Sequence, residues 1–293
     1  MRIWSSLAAI LVAGCAAGQA NTQALPMLVG QAGWVEDDPR FGGFSAIELA
    51  ADGQSMLALS DRGWLVRASL ARGATGRLGG VDLIEEIALK DVDGNPLAEA
   101  QVDSEGLAEI GGQLFVSLEG RNEILRYASL DAVPDRVPVP EGIATLQRNS
   151  GLEALAADGQ GNLLAIPERS GRLDRPFPVW RWDGAAWDTD LQVPRRPPFL
   201  ITDAAVAPDG RLYVTERDFT GISFTVQVRS FAVGAVLTDE RIEIGPRTDL
   251  DNVEAIDFWQ AGPDDTRLLL MSDDNFFWLQ RTLLSEFRLA PSR

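Results

Sequence analysis

Short apolar runs bounded by turn-forming residues recur along this chain. They read Met56-Leu57-Ala58-Leu59, Leu114-Phe115-Val116, Leu163-Leu164-Ala165-Ile166, Leu212-Tyr213-Val214 and Leu268-Leu269-Leu270-Met271. Runs this short, flanked by Gly, Asp and Pro, predict buried strands and not helices. Most follow a Gly-containing turn: Asp52-Gly53, Gly111-Gly112, Asp158-Gly159, Asp209-Gly210, with the longer Gly262-Pro263-Asp264-Asp265 in the last copy. Asp-Gly between apolar stretches marks a hairpin, because glycine accepts positive φ without steric cost. Ahead of each turn stands a polar residue followed by small or apolar ones: Ser45-Ala46-Ile47, Glu105-Gly106-Leu107, Glu153-Ala154-Leu155, Asp203-Ala204-Ala205 and Glu254-Ala255-Ile256. After each apolar run comes a third strand with an arginine: Arg67, Arg126, Arg181, Arg229 and, in Leu279-Gln280-Arg281, Arg281.

The interval from the first polar position to that arginine is 22, 21, 28, 26 and 27 residues, so only loop length drifts. A period of roughly 50 residues built from three or four short antiparallel strands predicts an all-β protein, a β-propeller in one domain. A β-sandwich has no reason to repeat a polar-small-apolar phrase at every fourth strand. Five units are detectable. The interval between Trp64 and Asp103 is long enough to hold a sixth, so five or six blades are open. Val81–Lys90 fits an outer strand as well as a helix. Ring closure predicts that the segment near Leu25–Gly30 pairs with strands near Phe276–Leu289, removing an exposed sheet edge.

The first residues carry one charge, Arg2, then an apolar run to Val12, then Ala13-Gly14-Cys15. This is too short to span a bilayer and reads as a signal peptide over residues 1–14. Val-Ala-Gly-Cys resembles a bacterial lipobox, which makes Cys15 the lipidated first residue of the mature chain. Residues 15–27 then form a linker and closing segment, and residues 28–293 the propeller. The expected location is the periplasmic side of a bacterial envelope, anchored to the outer membrane through the lipid. Cleavage after Ala20, giving a soluble periplasmic or secreted protein, is the alternative. Cys15 is the only cysteine, so no disulfide contributes to stability.

With 43 Asp+Glu against 26 Lys+Arg, the formal net charge is −17, which disfavours nucleic acid and anionic membrane surfaces as partners and favours cations. There is no histidine, and Lys90 is the sole lysine. Histidine-based triads and dyads and the common zinc sites are therefore excluded. No phosphate loop or dinucleotide fingerprint is present. If the chain is an enzyme, its chemistry is expected to run on carboxylates and arginines, with a hard metal ion as the expected helper. Asp91-Val92-Asp93-Gly94-Asn95 lacks the spacing of a calcium loop and reads as a surface turn.

The innermost strand of a propeller blade lines the central channel. The repeat therefore predicts that Glu105, Glu153, Asp203 and Glu254 converge there, with Ser45 in the fifth unit and Asp103, Asn149, Asp251 and Asn252 beside them. Converging carboxylates repel unless a proton or a cation compensates. An oxygen-only set suits calcium, giving Asp103, Glu105, Glu153, Asp203 and Glu254 as candidate ligands. The competing reading makes each acid a staple that accepts backbone N–H groups of the next blade. A second set closes the second strands: Asp61-Arg62, Glu119-Gly120-Arg121, Glu168-Arg169, Glu216-Arg217 and Asp273-Asp274. From these Asp61, Arg62, Glu119, Glu168, Arg169, Glu216 and Arg217 are candidate catalytic residues, and structural ion pairing is the alternative for each pair.

Phe41-Gly42-Gly43-Phe44-Ser45-Ala46-Ile47-Glu48 with Leu59-Ser60-Asp61-Arg62-Gly63 resembles the opening of the phytase-like family, described as having esterase-like activity of phytase. Asp103-Ser104-Glu105-Gly106-Leu107-Ala108, Asn149-Ser150-Gly151-Leu152-Glu153-Ala154-Leu155 and Asp251-Asn252-Val253-Glu254-Ala255-Ile256 continue the similarity from about Leu28 to the C-terminus. The resemblance implies ester or phosphoester hydrolysis and an architecture akin to calcium-dependent propeller phytases. It carries over no catalytic set. The near absence of lysine departs from the phosphate sites of propeller phytases and turns the expectation from phytate toward smaller substrates. Two functions follow: a metal-dependent esterase or phosphoesterase of the envelope acting on a small anionic or ester substrate, or a non-catalytic propeller that binds a ligand or protein.

Overall fold

A computed structural model describes residues 25–97, 103–145 and 151–290. Among them the chain forms five four-stranded antiparallel sheets arranged as the blades of a propeller. Blade one is β2 (Phe44–Leu49), β3 (Ser55–Ser60), β4 (Trp64–Arg72) and β5 (Leu78–Ala88), and blade two is β6 (Ser104–Ile110), β7 (Gln113–Leu118), β8 (Glu123–Tyr127) and β9 (Asp135–Val137). Blade three is β10 (Leu152–Ala157), β11 (Leu163–Pro167), β12 (Phe177–Trp182) and β13 (Trp187–Val193), and blade four is β14 (Leu200–Val206), β15 (Arg211–Phe219), β16 (Phe224–Val233) and β17 (Leu237–Arg247). Blade five is closed by both ends of the chain. It runs β18 (Val253–Gly262), β19 (Asp265–Ser272) and β20 (Leu283–Arg288), and β1 (Met27–Gly33) supplies its outer strand.

The expected closure is present: Met27 pairs with Arg288 and Gly33 with Leu283. Between Trp64 and Leu97 the described residues hold β4, β5 and a turn, and the described residues contain five blades. Val81–Ala88 is strand, within β5. The third strand of blade five is β20, not the Leu279–Arg281 segment that the repeat suggested. Residues 274–280 instead fold into consecutive turns, with Phe277 N–H donating to Asp274 O and Gln280 N–H to Phe277 O. The arginine that recurs in third strands has a shared role in the other blades. Arg67, Arg126, Arg181 and Arg229 each pair with an acid of their blade's outer strand, Glu85, Asp135, Asp188 and Glu240 respectively. The exposed ones contribute little individually.

The core lies between blades, where facing sheets bury Val, Leu, Ile and Phe from alternate strand positions. Trp180 and Trp182 of β12 pack into the layer shared with blade two, Trp182 lying 6.0 Å from Phe115 between ring centroids. At the closing seam Trp34 stacks on Phe44 at 5.2 Å while Phe41 meets both rings edge-on. The same seam buries an ion pair: Arg72 of blade one donates to both oxygens of Glu286 in β20, at 2.7 and 2.9 Å, and lies over the Trp259 ring. Trp259 Nε1 donates to the same carboxylate at 2.8 Å. These contacts join the first and last blades without a disulfide.

Candidate active site at one mouth of the channel

The inner strands β2, β6, β10, β14 and β18 neighbour one another in a closed ring. Each carries a register irregularity near its start: between Phe44 and Ala46, Ser104 and Leu107, Leu152 and Ala154, Ile201 and Asp203, and Val253 and Ala255. A bulge leaves one residue unpaired and re-aims its side chain, which is how a flat strand presents a carboxylate to the axis. The residues in the bulges are Ser45, Glu105, Glu153, Thr202 and Glu254. Gly106 permits the approach of β6 to β10, since a Cβ on it would stand 2.7 Å from the backbone N of Leu155.

Blade four thus departs from the expected alignment by one residue. Thr202, not Asp203, occupies the bulge, where its hydroxyl donates to Thr215 Oγ1 at 2.9 Å. The shift propagates to the second strand. Opposite Phe44, Ser104, Leu152 and Val253 stand Ser60, Leu118, Pro167 and Ser272, and the next residues are Asp61, Glu119, Glu168 and Asp273. Opposite Ile201 stands Glu216, so the residue facing the mouth in blade four is Arg217. Glu216 is fully buried and commits both oxygens to Arg229, with Gln227 Nε2 donating to one of them at 2.7 Å. Arg217 instead joins the mouth, where its guanidinium donates to Glu254 and to Asn252 Oδ1.

Asp103, Glu105 and Glu119 bring one carboxylate oxygen each within 4.8 Å of one another. Burial and the nearby Glu153, Asp103 and Glu119 charges hold Glu105 well above the ordinary carboxylate range, while a hydrogen bond from Ser45 works against them. Glu153 is raised in the same sense by burial and Glu168, with Arg217 opposing. Glu119 is pushed to about 7 by burial and Asp103, although it accepts the Gly151 N–H at 2.9 Å. Only convergence on the axis lets acids of blades two and three and an arginine of blade four act on one another. The cluster is an oxygen-only donor set with excess negative charge, which fits a hard divalent cation.

Asp61 lies next to this cluster and is raised to about 6, chiefly by burial, with Asp103 and Asp274 adding and Arg62 opposing. Its position depends on Gly43, at φ +63°, where a Cβ would meet Asp61 Oδ1 and the Phe276 ring, each at 2.5 Å. Arg62 lies across the Phe276 ring, 3.3 Å from its centroid. Arg169 pairs with Glu168 at 2.8 Å and keeps about half its side chain in solvent. Asp273 accepts the N–H groups of Phe44 and Asn275 and is raised to about 7 by burial. Of the expected residues, the fold therefore brings together Asp61, Arg62, Asp103, Glu105, Glu119, Glu153, Glu168, Arg169, Arg217 and Glu254. Asn149 lies outside the described residues, as does Cys15.

Asp203 belongs to a different set. Its Oδ2 accepts Ile256 N–H of the next blade at 2.9 Å, and its Oδ1 is buried without a hydrogen-bond partner. Further along the inner strands Asp257 accepts Leu49 N–H at 2.6 Å and Glu48 accepts Glu109 N–H at 2.7 Å. These are inter-blade staples. Glu48, Glu109 and Asp257 line a cavity of about 110 Å³ at the opposite end of the channel. These three acids share one repeat position, two residues past the point where pairing resumes after the bulge, and the sequence pattern missed it because Ala156 and Ala205 hold that position in blades three and four. It also missed Phe276, whose role depends on a contact across the closing seam.

The sequence matches the phytase-like family, described as "esterase-like activity of phytase", over residues 39–276, and the chain belongs to that family. No curated protein matches it in sequence. Among solved structures it is similar to one described as a 6-phosphogluconolactonase from Bacteroides uniformis, at 15% identity, over 79% of this chain and 78% of that one, with a TM-score of 0.46.

Proposed function

We propose that the protein is a cation-assisted hydrolase that cleaves an ester or phosphoester at the carboxylate mouth. The observation that carries this reading is the Asp103–Glu105–Glu119 cluster, with oxygens within 4.8 Å of one another and flanked by Asp61 and Arg62. Asp103, Glu105 and Glu119 would hold calcium, with Glu153 completing the negative charge around it. A bound divalent cation supplies positive charge that polarises the scissile group and relieves the repulsion among the acids. The remaining roles fall to the chain's own side chains. Asp61, whose carboxyl holds its proton up to about pH 6, takes a proton from attacking water and returns it to the leaving alcohol. Water adds to the acyl or phosphoryl centre, the ester C–O or P–O bond breaks, and acid and alcohol leave. Arg62 faces the anionic part of the substrate, and Arg169, half exposed on Glu168, offers a second contact to it. Arg217 fixes Glu254 and offsets charge near Glu153.

We also propose lipidation at Cys15 and an envelope location, on the sequence alone. The strand pairing supports a sensible orientation. β1 enters beside Arg288, at the hairpin end of blade five away from the mouth, so a tether would leave the mouth facing outward.

Hydrolysis of activated phosphoesters and short esters, with calcium or with chelator, tests the central reading. Chelator-sensitive turnover lowered about 10²–10⁴-fold by Asp61→Asn is expected. Inactivity with calcium, magnesium and manganese across the panel would make the protein a binding module.

A further inference from the structure

Beside the polar mouth, blades four and five leave large apolar side chains in solvent. Phe219 and Ile222 flank the β15–β16 turn at 58% and 96% exposure, and the β19–β20 connection presents Phe276, Phe277, Trp278 and Leu279 at 37%, 48%, 84% and 61%. Contiguous exposed apolar surface marks a binding site far more often than single exposed residues do. The connection is also built to hold its shape. Asn275 and Phe276 both adopt positive φ, 47° and 50°, which is costly for a bulky aromatic and persists only where the surroundings impose it. Asp273 Oδ2 accepts Asn275 N–H, Asp274 Oδ1 accepts Phe276 N–H, and Asn275 Nδ2 donates to Gln280 Oε1.

The Phe276 ring decides what this surface is for. One face lies under Arg62 and its edge packs on the Gly43 backbone that also seats Asp61. Arg62 lies beside the Asp61 carboxylate, whose proton affinity it lowers, and stacks on the Phe276 ring, so charge and apolar surface meet at one place. The apolar wall and the charged mouth are therefore one surface. A ligand filling both must have an anionic or ester head for Arg62 and an apolar tail for the wall. A bilayer surface with anionic lipids is a poor occupant for a chain of net charge −17.

We infer that the 276–279 connection is the acyl- or aryl-binding wall of the mouth, and that the substrate class is esters or phosphoesters carrying an apolar chain or ring, not polyphosphorylated polyols. This rests on the hydrolase reading above. Trp278 and Leu279, the most exposed members of the connection, would be the specificity-determining residues.

The test is kcat/KM on p-nitrophenyl esters from acetate to hexanoate, for the wild type and for the double variant Trp278→Ser, Leu279→Ser. Wild-type kcat/KM should rise up to about fourfold per added methylene, which is what burial of a CH₂ supplies, and the variant should flatten that slope. Equal slopes in the two proteins overturn the inference while leaving the hydrolase reading intact. If no ester is turned over, calorimetry with methyl- and hexylphosphonate decides the wall separately, and the hydrolase reading fails only if the activated phosphoesters are inert as well. Hexylphosphonate binding at least tenfold tighter than methylphosphonate, lost in the variant, supports it; equal affinity overturns it. Self-association or vesicle binding that the variant abolishes, without any chain-length effect, assigns the wall to another occupant and overturns the inference too.

Discussion

Blades two and four both place a glutamate and an arginine at the end of the second strand, yet the two glutamates do opposite work. In blade two the strand ends at Leu118, and Glu119 opens onto the channel beside Asp103 and Glu105. In blade four β15 runs on to Phe219, and Glu216 lies within it, opposite Ile201 and Gln227. Its carboxylate points into the blade, meets Arg229 and is removed from solvent altogether. The mouth position falls to Arg217. One residue of register separates a charged site residue from an internal strut, because successive strand residues face opposite sides of the sheet. The mouth therefore has one cationic side among four acidic ones, an asymmetry useful for orienting a polar substrate.

Breaking the strut should have the largest effect. Arg229→Ala leaves Glu216 buried without its counter-ion and is expected to cost about 3–5 kcal/mol in denaturant unfolding. Glu119→Gln, assayed the same way in chelator, should cost nothing, since it removes a charge from a repulsive cluster. A comparable loss in both variants would erase the distinction between the two blades.

Calcium should separate them next. At a hundredfold over its dissociation constant it is expected to add about 2.7 kcal/mol, seen as a rise in Tm. Glu105→Gln should abolish that rise, while Asp257→Asn, at the far end of the channel, should retain it. Identical melting in calcium and chelator would reduce the mouth acids to staples.

Protonation sharpens the comparison further. Asp61 at about 6, and Glu119, Asp257 and Asp273 at about 7, hold their protons more tightly folded than unfolded. The stability they contribute is complete below the unfolded carboxylate pKa and is lost as pH rises through these folded values. In chelator, Tm should accordingly be higher at pH 5 than at pH 8, and calcium should narrow the gap. The reverse order would mean that these carboxylates are ionised in the folded chain.

The smallest change is expected from Arg217→Gln. Removing that charge beside Glu153 and Glu254 should favour cation binding by about 1 kcal/mol, roughly fivefold in calcium affinity by titration. Weaker binding would instead make Arg217 a positioning residue for Glu254.

Much of this was legible in the chain itself. The apolar runs, the glycine turns and the polar-small-apolar phrase specify strands, blades and closure locally, because hydrophobic alternation and turn chemistry act over a few residues. The absence of histidine excludes histidine-based catalysis and leaves carboxylates and arginines as the main candidates, and the spacing brings Glu105, Glu153 and Glu254 to one axis. Register was not legible. Thr202-Asp203 and Glu216-Arg217 read as copies of the other repeats, and only the pairing of Ile201 with Glu216 shows which member of each pair faces the channel. The Leu279–Arg281 segment likewise looks like a third strand until β20 takes that place and residues 274–280 turn outward. Proton affinities near neutrality, the Arg62–Phe276 stack and the Arg72–Glu286 seam join residues far apart in the chain. They are set by burial and by charges from other blades, which no local pattern encodes.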